Sequence, residues 1–139
     1  MVRSGPSKPV GGGEWRGRLA NAKSFHRAAE HLLDLWEEGD NGTPVVVLLV
    51  LAAIGFGDTL AARFGGRVNK QDHAALPATI RAAMGNRADE QQLSRLRRIL
   101  EEKDAASYGA RIGRMDHARD LHVQLQRFAS WVEVVIREG

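Results

Sequence analysis

Cysteine is absent from the 139 residues, which excludes disulfides, thiol nucleophiles and cysteine-ligated zinc and makes the cytoplasm the expected compartment. Proline occurs only four times and tyrosine once, at position 108. Aromatic residues make up 6% of the chain; Trp15, Trp36 and Trp131 are expected to anchor the core or an interface rather than stack bases, since only Trp15-Arg16-Gly17-Arg18 interleaves an indole with cations. Neither charge dominates, since twenty Lys and Arg against seventeen Asp and Glu leave a net +3. A surplus that small describes solvated helix faces better than a phosphate track. Long hydrophobic runs are missing too. The longest, Val45–Gly57, holds thirteen residues, lies mid-chain and ends at Asp58, whereas a membrane span needs about twenty. It reads as a core helix that is apolar almost all round, with neither a membrane nor a leader expected.

What is present is helical periodicity. Residues 1–13 hold Ser, Pro, Lys and three consecutive glycines, and are expected as a disordered tail ahead of a bundle over residues 14–139. From Glu14 to Glu38 the positions Trp15, Leu19, Ala22, His26, Ala29, Leu33 and Trp36 recur every three or four residues, the stripe of a core-facing helix. Gly39–Gly42 breaks it. Thr43 as N-cap and Pro44 in the first turn predict a second helix to about Phe64, its length outweighing the strand preference of Val45–Val47. Gly65-Gly66 closes it. Asp72 opens a short third helix carrying Leu76, Ile80, Ala83 and Met84; Asp89 with Gln92 opens a fourth that runs to about Ser107. The last helix carries Ala118, Leu121, Leu125, Phe128, Val132 and Val135. Four long helices, one short one and no convincing strand predict an all-α, up-down helical bundle.

One polar constellation interrupts the pattern. Lys103 falls on the stripe of Leu93, Leu96, Ile99 and Leu100, and a cation pointing inward needs a partner. Asp58, just past the apolar run, is the expected counter-ion, with the Tyr108 hydroxyl nearby. His73 is read either as a surface residue beside a capping Asp72 or as part of this cluster. His26 is read as a hydrogen-bonded core histidine.

The run from Val45 to Glu138 resembles the HEPN superfamily in several stretches. These are Leu51-Ala52-Ala53-Ile54 leading to Asp58, then Gln71-Asp72-His73, then Lys103-Asp104 followed by Tyr108, and Phe128-Ala129-Ser130-Trp131-Val132. Catalytic HEPN domains carry Arg, often Asn after it, and His four to six residues on; here Lys103, Asp104 and Tyr108 stand at similar places, as in variant bacterial members. The resemblance implies an all-helical homodimer of toxin or defence type that binds RNA or cuts it without metal, with an antitoxin or another protein as partner. It implies Lys103, Asp104 and Tyr108 as the catalytic set, with His117 as an alternative acid-base group and Arg111, Arg114 and Arg67 holding the anion.

Two Arg-spacer-His pairs do occur, Arg67 to His73 and Arg111 to His117, but chance supplies as many in a chain this rich in Arg. Tyr is a poor proton-transfer group near neutrality, while Lys still holds a phosphate by charge, so the variant motif keeps anion binding and weakens cleavage. No metal or cofactor is expected. His26/His31 and His117/His122 are five apart and point to different faces, and no Glu-x-x-His pattern occurs. Two functional classes stay open: an RNA-binding or RNA-cutting domain, and a non-catalytic interaction module. Arg63, Arg67, Arg111 and Arg114 converging on one groove would favour the first, and their scatter the second.

Overall fold

The computed structural model describes residues 7–70, 72–108 and 112–139, with the side chains of residues 107 and 108 outside that description. Six α-helices account for most of it: α1 (Glu14–Asp34), α2 (Thr43–Gly65), α3 (Leu76–Met84), α4 (Glu90–Leu100), α5 (Lys103–Tyr108) and α6 (Met115–Glu138). The all-α expectation holds at that level. α2 is the axle. Fourteen of its residues are buried, and α1, α3, α4, α5 and α6 all pack against it. Its composition alone would suit a membrane span, with an 18-residue window of mean hydropathy 2.3, but 72% of that window is covered by the other helices. The apolar character resumes past Asp58, so the whole helix of 23 residues is longer than the Val45–Gly57 run.

α1 lies against α2 through small residues. Ala22 is fully buried, and a Cβ on Gly55 would stand 2.8 Å from the Ala22 Cβ. A second close approach seals the other end. Gly113 N–H donates to Thr43 Oγ1 (2.9 Å) and Gly42 N–H to the Gly113 carbonyl (2.9 Å), and a Cβ on Gly42 would meet the Arg114 carbonyl at 2.8 Å. Thr43 therefore does not cap α2 as expected. Its hydroxyl serves the loop before α6, and Asn41 Oδ1 takes the Thr43 amide instead (2.9 Å).

Three further expectations are corrected. Residues 7–9 are not a disordered tail: Ser7–Pro9 forms strand β1, paired antiparallel with β2 (Arg67–Asn69), Ser7 opposite Asn69 and Pro9 opposite Arg67. Val10 N–H extends the pairing to the Gly66 carbonyl (3.0 Å). Strand β1 has Pro at its end, tolerable because it is an edge. The fourth predicted helix is two: Glu101 and Glu102 form a turn, and the chain restarts as α5 at Lys103. Finally, α1 ends at Asp34 rather than Glu38. The Asp40 carboxylate takes the Glu37 amide (2.9 Å) and stabilises a turn there.

Candidate functional site

The α4–α5 break decides where the motif residues go. Had α4 continued, Lys103 would have followed Ile99 inward. The turn at Glu101–Glu102 swings it sideways, and its ammonium lies 3.2 Å from His73 Nδ1. His73 opens a 3-10 turn (His73–Ala75) ahead of α3. That turn is fixed from below by Asn69, a 5% exposed side chain whose Nδ2 donates to the Asp72 carbonyl (3.2 Å) and whose Oδ1 accepts from Thr79 (2.8 Å).

The electrostatics of the pair are specific. Burial, and then the Lys103 charge, push the His73 pKa below its usual value, against an opposing pull from Asp72. His73 is therefore neutral at pH 7. An ammonium can only donate, so its contact makes Nδ1 the acceptor and leaves the ring proton on Nε2. While the contact holds, Nδ1 is not available as a base, and the neutral ring is a weak acid. The surrounding cleft, about 440 Å³, adds Arg97, Asp72, Glu101 and Asp104. Three carboxylates against two cations make it a poor seat for a polyanion.

The other predicted residues lie elsewhere. His117 lines a separate cleft of about 700 Å³ with Glu102, Ile112, Gly113, Arg114, Asp116 and Asp120. Glu102 Oε1 is 3.1 Å from His117 Nε2 but out of line for a hydrogen bond, so Nε2 makes none among the described residues. Arg114 is held by Asp116 (2.9 Å), and Arg67 by the Ser7 hydroxyl on β1 (3.0 Å). Arg63 donates to the Gly139 carbonyl (2.7 Å) and lies over the Trp15 and Phe64 rings. Arg63, Arg67 and Arg114 thus have separate partners and share no groove among the described residues. Arg111 and the Tyr108 side chain fall outside the described residues.

Asp58 is 6% exposed, and its partner is not Lys103 but Arg18 of α1, Nη1 to Oδ2 at 3.3 Å. Arg18 is in turn held by Glu14 (2.9 Å from Nε). Oδ1 of Asp58 has no hydrogen-bond partner among the described residues, and burial lifts the Asp58 pKa from 3.8 to about 6, Arg18 lowering it only in part. The signal for this pair was legible: Arg18 precedes the buried Ala22 by four residues and so shares its face. His26 departs from the hydrogen-bonded core histidine expected at Nε2, which is buried and has no hydrogen-bond partner among the described residues.

One surface was missed by sequence reasoning. Between α4 and α6 an open groove of about 440 Å³ is lined by Gln92, Arg95, Gln126, Arg127, Ser130, Trp131 and Val134. It holds two guanidiniums, an indole and uncharged polar groups, and no carboxylate. No acidic side chain among the described residues pairs with Arg95 or Arg127. Trp131 is half-buried against Phe128, ring centroids 5.9 Å apart, which fixes its orientation. The clue was spacing: Gln92 and Arg95 three apart on one helix, Arg127 and Trp131 four apart on another. No protein-family model, curated protein or solved structure matches the chain.

Proposed function

We propose that the protein binds single-stranded RNA along the α4–α6 face and does not cut it. The observation that carries this reading is the groove lined by Arg95, Arg127 and Trp131, where two guanidiniums without an ion-pair partner among the described residues share a lining with an oriented indole and no carboxylate. Arginine holds phosphate bidentately and an indole accepts any base by stacking, a combination that tolerates sequence. The HEPN-like stretches from Val45 to Glu138 support an RNA-facing role. The engagement of His73 Nδ1 by Lys103 and the separation of His117 into another cleft speak against a working acid-base pair. RNA held here stays intact.

Fluorescence anisotropy with a short labelled RNA in chelator-containing buffer tests this. Arg95→Ala and Arg127→Ala should each weaken binding and lower the slope of log affinity against log salt by about 0.7. An unchanged slope in the double variant would rule the groove out. Cleavage of the RNA by the wild type would reject the non-catalytic part alone.

A second reading, a helical module that pairs with a second copy of itself or with a separately encoded antitoxin-like protein, is favoured by the apolar end of α1. Leu32 and Leu35, 42% and 77% exposed, stand three residues apart there. If the pairing is with itself, light scattering should give a dimer that Leu35→Glu converts to monomer; a monomeric wild type would discard the homodimer.

A further inference from the structure

The α1–α6 seam contains three metal-ligating side chains that the sequence spacing hid. His26 and Glu30 stand one turn apart on α1 and face His122 of α6. His26 Nε2 is 4.0 Å from Glu30 Oε1, His122 Nε2 is 3.7 Å from Glu30 Oε2, and all three ligand atoms lie within 4.8 Å of one another. The two imidazoles meet edge to face at 5.4 Å, and the Phe56 ring stands edge-on behind His26 at 6.3 Å.

A second observation points to a ligand. Nε2 of His26 and Nε2 of His122 are both buried and both lack a hydrogen-bond partner among the described residues. An unsatisfied buried nitrogen is costly, and two that face one carboxylate at 4.0 and 3.7 Å leave a gap that a shared ligand would fill. Burial and His26 hold the His122 pKa below its usual value, against the pull of the Glu30 and Asp34 carboxylates, while Arg119, one turn before His122, lies over the Trp36 ring at 4.9 Å.

We propose that His26, Glu30 and His122 form a binding site for a divalent transition metal, zinc first among them. Two imidazoles and one carboxylate are a borderline-soft set, suited to zinc, cobalt or nickel and unsuited to magnesium or calcium, which take oxygen ligands. Around a tetrahedral zinc, ligand atoms stand about 3.4 Å apart, so modest side-chain rotations bring these three onto one ion. The fourth position goes to water on the open side, where the Glu30 side chain is 42% exposed. The metal would tie α1 to α6 across a seam also bridged by the solvent-exposed Lys23–Glu133 ion pair (2.8 Å). His31, on the exposed side of α1, takes no part.

Titration of chelator-stripped full-length protein with zinc chloride, followed by calorimetry and by thermal melting, decides the matter. The wild type should bind one zinc per chain and melt at a higher temperature with it. Glu30→Gln and His122→Gln should each weaken binding by at least about tenfold, the loss that even outer-shell partners cause. Because Glu30 is half in solvent, Glu30→Gln should fold normally, as circular dichroism will check. His31→Ala should bind as the wild type does. Cobalt chloride should give the visible absorption of a four-coordinate ion in the wild type and lose it in Glu30→Gln. Zinc binding unaltered in both Gln variants, or no saturable binding by the wild type, would overturn the site.

Discussion

Asp58→Asn is expected to stabilise the protein relative to wild type by up to about 3 kcal/mol at pH 7.5, and by far less at pH 4. The carboxyl is almost enclosed by α2 and its neighbours, one oxygen has no hydrogen-bond partner among the described residues, and the Arg18 contact at 3.3 Å is long for a charge-assisted bond. Desolvation therefore outweighs attraction, and the folded-state pKa rises from 3.8 to about 6. A raised carboxyl binds an extra proton in the folded protein between those two values. Its stabilising contribution is complete below pH 3.8 and is lost as pH climbs through 6. Asparagine keeps the shape and an acceptor for Arg18 without the charge, so the variant escapes that loss. Urea denaturation of both proteins from pH 4 to 8 gives the difference directly. A difference that does not change with pH would mean that Arg18 fully compensates the buried charge.

The comparison with the expected Asp58–Lys103 pair shows where sequence reading succeeds and where it stops. Stripes such as Ala118 to Val135 are legible because three-four spacing needs no knowledge of the neighbour. The same holds for the Asp89 cap, whose side chain takes the Gln91 and Gln92 amides (2.9 and 3.3 Å), and for the Gly66 C-cap at φ +66°. Strands β1 and β2 are three residues each, too short for a period and joined by pairing across some sixty positions. The α4–α5 break carries no Gly or Pro, and a single turn there moved Lys103 from the core stripe to His73. The groove of Arg95, Arg127 and Trp131 and the His26, Glu30, His122 cluster both arise between helices. Spacing within one helix shows half of each. The five-residue His spacings within single helices do not bear on that cluster, which joins His26 and Glu30, four apart on α1, with His122 of α6.

The Ala22–Gly55 contact makes the strongest prediction about packing. Gly55→Ala would normally gain about 1 kcal/mol in helix propensity. Here the new methyl would lie 2.8 Å from the Ala22 Cβ and 3.2 Å from its Cα, and neither atom can rotate away. Overpacking of this kind costs about 1–3 kcal/mol, so the single variant should be destabilised despite the better helix former. Ala22→Gly alone should also destabilise, by about 1 kcal/mol in propensity plus the lost burial of a fully enclosed methyl. Combined, the two changes move one methyl from α1 to α2, and the propensity terms cancel. The double variant should then be more stable than the sum of the singles by about 1–2 kcal/mol. Recovery stays incomplete because the Ala22 Cα remains 3.2 Å from the new methyl. Additive singles would mean that α1 and α2 already part far enough in solution to admit a methyl. They would then also part far enough to loosen Arg18 from Asp58, since both contacts ride on the same face of α1.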